Sequence, residues 1–195
     1  MLVGVAFALV ACEGGPSDQQ SENGGEVVDT GTTTGGGISV ADPERAERAI
    51  GIYSAVVRQL VTKDHTFGGG PSPFERVFIV DGAVQRANDP GLSREAPRPF
   101  TPEVRAGILG ELGDLPPVEF VSDPDSVVVG SRECAHVKGN GVLITLGPIK
   151  GGKDRATVPN GLYFACLGGQ WLTYELERAD EGWRVTGYKG PYIIS

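Results

Sequence analysis

The chain has 195 residues, and its 25 acidic and 17 basic side chains leave a formal net charge of −8. That balance argues against a nucleic-acid protein, which needs a basic face to displace counterions from phosphate. With 30 Gly, 14 Pro and 39% apolar residues the core is expected to be modest; no run reaches the ~18 apolar residues that cross a bilayer as a helix.

Leu2 to Val10 (LVGVAFALV) is apolar and uncharged, and composition turns polar directly after Cys12. Such a stretch has the length of a signal-peptide core and is too short to span a membrane. Leu9-Val10-Ala11-Cys12 resembles the lipobox of bacterial lipoproteins: a branched apolar residue, two smaller ones, then the cysteine. The resemblance implies a signal peptide over residues 1–11, cleavage before Cys12, and acylation of Cys12. It places the mature protein in the cell envelope, outside the cytoplasm and anchored to membrane by lipid. One feature departs from the pattern: Leu2 stands where a signal peptide usually carries Lys or Arg. The competing reading is a buried N-terminal strand with a free thiol.

Residues 12–40 read as the lipidated cysteine and a tether. Nine of the 28 residues from Glu13 to Val40 are Gly or Pro, and five are acidic with no basic partner. Such a segment buries too little to offset the entropy of ordering it. It carries −5 of the charge, so residues 41–195 hold 20 acids against 17 bases. The acidity therefore says nothing about the domain's ligand.

A single globular α+β domain is expected over 41–195. Asp42-Pro43-Glu44 supplies a cap, a proline at the first helical position and an acid at the positive end of the dipole. Ala46, Ala49, Ile50, Tyr53, Val57, Leu60 and Val61 then recur at helical spacing. Gly51 interrupts this helix and predicts a closely packed partner. Arg76–Asp81 reads as a strand covered on both faces, and Thr101-Pro102-Glu103 opens a second helix ending near Gly113. Val118–Val121 is the next strand, so strand, helix and strand permit a parallel crossover.

Beyond Ser126 the pattern becomes short strands. They are expected at 127–129, 141–146, 156–158, 161–167 and 171–178, with Pro159-Asn160-Gly161 as a turn. Leu172, Tyr174 and Leu176 alternate with polar residues, Ala179-Asp180-Glu181-Gly182 turns, and Trp183–Gly187 returns. This closing hairpin resembles those of cystatin-like and NTF2-like α+β domains, a likeness that carries over no functional residue. The expected architecture is two helices packed on a mainly antiparallel sheet.

Once Cys12 is acylated, Cys134 and Cys166 form an even pair in an oxidising compartment, where a disulfide is expected. The alternative is a zinc site built from Cys134, His136, Cys166 and His65, whose Cys-x-His spacing matches no recognised zinc knuckle. Gly147-Pro148-Ile149-Lys150-Gly151-Gly152-Lys153-Asp154 nearly matches a phosphate-binding loop. Asp154 replaces the magnesium-binding hydroxyl, and the β-branched run ending in Pro159 cannot begin the required helix. A hairpin turn with solvated lysines fits better. Asp123-Pro124-Asp125 reads as a turn.

No cofactor or metal motif and no Gly-x-Ser-x-Gly elbow is complete, so no catalytic residue is assigned. The leading expectation is a lipid-anchored envelope module that binds a protein or anionic ligand. Arg86, Arg94 and Arg98 on the long loop from Gly82 to Phe100 are candidate binding residues. His65, on the neighbouring glycine-rich loop from Asp64 to Phe74, is another. The alternative is a small envelope hydrolase using His65 or His136.

Overall fold

The computed structural model describes residues 42–67, 71–91, 96–131 and 134–195. The lipobox with Cys12, the tether and Arg94 lie outside the described residues.

Helix α1 (Pro43–Thr62) begins where its cap places it, with the Asp42 side chain accepting from the Glu44 N–H. Its inward residues run beyond one narrow stripe. Ile52, Val56, Val57, Leu60 and Val61 are all fully buried. Strand β1 (Arg76–Ala83) follows, then α2 (Pro102–Glu111), capped by Thr101, then β2 (Val118–Val121). β1 pairs in parallel with β2 on one side and with β5 (Gly141–Leu146) on the other, so the expected parallel crossover is present. Arg105 of α2 ties this unit together through Asp81 of β1 at 2.9 Å.

The remaining pairings are antiparallel. β5 pairs β6 (Arg155–Ala165), β6 pairs β7 (Gly168–Ala179), and β7 pairs β8 (Gly182–Ile194). A short ribbon, β3 (Val128–Gly130) and β4 (Ala135–Val137), joins β6 near the start of β5 through His136 and Ala165. The result is an eight-stranded mixed sheet, mostly antiparallel, with both helices on one face: an α+β fold.

Two strands are longer than the residue pattern predicts. β6 runs straight through Pro159-Asn160-Gly161, so no turn divides it. Proline is tolerated there because β5 ends at Leu146. The Pro159 carbonyl accepts from the Gly147 N–H at 2.7 Å, so the position without an N–H lies past the last strand pairing on that side. β8 continues beyond Gly187 to Ile194, interrupted by a bulge at Thr186 and another around Gly190-Pro191-Tyr192. These breaks, with Arg184 and Lys189, protect the exposed edge of β8 from pairing with another strand.

The core lies between the helices and the sheet. Val77 and Ile79, Val142, Ile144 and Leu146, and Leu172, Tyr174 and Leu176 face α1 and α2. A smaller cluster on the opposite face gathers Phe78, Val80 and Leu143 under Val84 and Ala87, with Val121, Val127 and Val137. The first part of the Gly82–Phe100 loop is therefore packed down, with Asn88 donating to the Thr173 hydroxyl at 3.1 Å. Cys134 and Cys166 form a disulfide, their Cα atoms 4.8 Å apart, that joins the start of β4 to the β6–β7 turn.

Candidate functional site

The outward stripe of α1 runs through Glu47, Arg48, Gly51, Ser54, Ala55 and Arg58, three and four residues apart. Small side chains at its centre leave a depression. On one side stand the β5–β6 loop at Gly151–Lys153 and the β7–β8 turn with Glu181, Gly182 and Trp183; on the other stands Glu111 at the end of α2. Together they bound a groove of about 1080 Å³, the size of a large ligand cleft.

Its walls are held by arginines. Arg48 donates from Nη2 to the Gly152 carbonyl at 2.6 Å, and its guanidinium carbon lies 5.3 Å from the centre of the Trp183 ring. At the far end Arg58 donates to both Asp114 carboxylate oxygens, at 2.5 and 2.8 Å, and to the Glu111 carbonyl. The hydrogen bond from Arg58 holds the Asp114 carboxyl below its ordinary range. Between these two clamps sits Ser54. It is 5% exposed, and its hydroxyl has no hydrogen-bond partner. Leaving a buried hydroxyl unpaired costs about 1–3 kcal/mol.

Around the rim, Arg45, Lys153 and Arg178 form no ion pair among the described residues, and neither do Glu47, Glu111 and Glu181. The groove thus presents both signs of charge around a half-buried tryptophan. The loop that nearly matches a phosphate-binding motif supplies its glycines as groove wall. Lys150 pairs with Thr157 through the backbone, and β6 rather than a helix follows at Arg155.

A second polar cluster lies at the other end of α1. Asp64 accepts on one carboxylate oxygen from the Tyr174 hydroxyl at 2.6 Å and from Gln59 Nε2 at 3.0 Å. Gln170 Nε2 donates to the Asp64 carbonyl, and the Tyr192 hydroxyl donates to Gln170 Oε1 at 2.9 Å. Burial, with the Asp64 bond and charge adding to it, pushes the Tyr174 hydroxyl far above its ordinary value of 10.0. This network pins the helix end to β7 and β8.

The structure separates the residues singled out from the sequence. His65 is 1% exposed, its ring 6.3 Å from that of Phe74 and 6.0 Å from that of Phe67. Phe74 stands just before the first residue of β1, whereas Arg86 and Arg98 follow its last. The two loops therefore leave opposite ends of that eight-residue strand. Arg86 is ion-paired with Asp89 at 3.2 Å, and the Arg98 backbone pairs with Ala83. His136 is exposed on β4. Cys134 and Cys166 are joined to each other, and among the described residues no group of three or more His, Cys, Asp and Glu side chains could hold a metal ion, so the zinc alternative finds no support here.

No family model, curated protein or solved structure matches the chain. The groove residues come from four separate segments, and only Gly51, as a glycine inside a helix, signals its place in the sequence. Ser54 reads there as an ordinary polar helical position.

Proposed function

We propose that the chain is a lipid-anchored protein of the cell envelope, held by acylated Cys12. Its folded part binds an extended segment of a protein partner in the groove beside α1. The observation that carries the binding site is the groove itself, floored by small residues of α1 between Trp183 with Arg48 and Arg58. Tryptophan and arginine are the residue types that dominate protein-binding hot spots. Unpaired bases and acids on the same rim suit a segment carrying both charges. Two observations support the location. The Cys134–Cys166 disulfide is compatible with an oxidising, extracytoplasmic compartment. Among the described residues no helix is long and apolar enough to cross a membrane, which is compatible with attachment through an N-terminal lipid.

The test is site-specific photo-cross-linking in the native envelope, with the reactive side chain at Glu47 or Ala55 and, as control, at Arg86. The proposal expects one partner species from both groove positions and none from Arg86. Equal, scattered products from all three positions would overturn it.

A further inference from the structure

Few bonds join ribbon β3–β4 to the rest of the sheet. β3 pairs with β4 alone, and β4 meets β6 through a single backbone pair, His136 with Ala165. Two side-chain contacts add to it. The Tyr163 hydroxyl donates to the Ala135 carbonyl at 2.7 Å, and Lys138 Nζ lies 5.8 Å from the centre of the Phe78 ring. The covalent attachment is the disulfide, which ties Cys134 at the head of β4 to Cys166 in the β6–β7 turn.

The ribbon covers apolar surface. Phe78, Leu143 and Tyr163 stand opposite one another across β1, β5 and β6, so they share one face. That face points away from the helices, and on it Phe78 and Leu143 are buried in one cluster with Val137 of β4 and Val127 beside β3. Ala135 and Lys138 reach the two ends of the row, Tyr163 and Phe78. The disulfide over this cluster is itself open to water, because Cys134 is exposed and Cys166 only half-buried. Exposed disulfides are the ones that exchange with thiols.

We propose that the Cys134–Cys166 bond is a reducible latch, opened by a dithiol to release the ribbon from the row of Phe78, Leu143 and Tyr163. One thiolate of the dithiol attacks the Cys134 sulfur, forming a mixed disulfide and expelling Cys166 as a thiolate. The second thiolate attacks the reagent's own bonded sulfur, closes a disulfide within the reagent and frees Cys134. The two protons that the dithiol gives up end on Cys134 and Cys166. With the bond intact, β4 cannot leave β6 without dragging the turn at Cys166. With the bond broken, one backbone pair, one tyrosine hydrogen bond and two packed valines hold it. The main core, between the helices and the sheet, includes no residue of the ribbon, so the opening is local. Neither the anchor nor the groove enters this device.

Hydrogen exchange of the full chain, with and without dithiothreitol, reads the opening residue by residue. The Lys138 amide, which donates to the Val127 carbonyl at 2.9 Å, reports on the ribbon, since two strands cut from their sheet are marginal in water. Reduction should speed its exchange roughly 100-fold or more, the factor that loss of such a cross-link allows. In the reduced protein it should run ahead of the Val56 and Val57 amides of α1 and depend little on urea, because a local opening exposes little surface. Cys134→Ser combined with Cys166→Ser should show the same pattern without reductant. A ribbon amide equally fast before and after reduction overturns the proposal. Ribbon and α1 amides that speed up in step, with the same steep urea dependence, overturn it too, since the bond then stabilises the whole domain and latches nothing in particular.

Discussion

A methyl group on Gly51 would stand 3.0 Å from Cδ1 of Trp183. Helix α1 gives up a side chain at its centre, and the closing hairpin lays its tryptophan into the space. The loss of helix propensity, up to ~1 kcal/mol against alanine, is offset by that packing. Gly51→Leu should therefore force Trp183 and Arg48 away from the helix and destabilise the domain by about 1–3 kcal/mol, as overpacking does. Urea unfolding followed by tryptophan emission checks both effects together, because a displaced Trp183 emits further to the red.

Ser54 makes the opposite prediction. Its hydroxyl is buried with no partner, so Ser54→Ala should leave stability unchanged or raise it by up to about 1 kcal/mol. A loss of stability beyond ~1 kcal/mol would show that the hydroxyl already has a donor role within the fold.

The disulfide closes a loop across a sequence separation of 32. On chain-entropy grounds it stabilises the fold by about 3–4 kcal/mol. Replacing Cys134 and Cys166 together by Ser should cost that amount in chemical denaturation, and reductant should lower the midpoint of the parent but not of the variant.

The buried tyrosines set an alkaline limit. Burial raises Tyr53 to about 12 and pushes Tyr174 up strongly, from an ordinary value of 10.0. A group whose value is raised on folding contributes stability that is complete below its unfolded value and is lost as pH rises above it. Stability should thus be insensitive to tyrosine ionisation up to about pH 10 and fall above it. Tyr174→Phe should cost about 1–3 kcal/mol at neutral pH, through the lost bond to Asp64, and should flatten the alkaline decline. Denaturation midpoints measured from pH 8 to 11.5 in parent and variant check the sign, at values bracketing the ordinary tyrosine range near 10.

Much of this architecture is legible from residue chemistry. Asp42-Pro43-Glu44 announces α1, Thr101-Pro102 announces α2, and Gly51 announces the partner that proves to be Trp183. The departures have local causes. Pro159-Asn160-Gly161 has turn composition, and only the early end of β5, a neighbour distant in sequence, makes it strand. β4 is three residues long and is held by β3, β6 and the disulfide rather than by its own propensity. The last strand reads as ending at Gly187, whereas it continues to Ile194 past bulges at Thr186 and around Gly190-Pro191-Tyr192. The groove was hidden for a different reason. Its residues belong to two helices and two turns, and their charges look like ordinary solvated surface until the fold brings them together. His65 shows the reverse: a loop histidine reads as available, whereas it is buried with Phe67 and Phe74 beside it.

The reading of location, and with it of partner, depends on one sulfur atom. Intact mass and peptide mapping of the protein isolated from its native membrane test it most directly. The account predicts a chain that begins at Cys12 with fatty acyl groups attached, lacks residues 1–11, and retains Cys134 joined to Cys166. A chain that still carries Met1, with Cys12 unmodified, would contradict it.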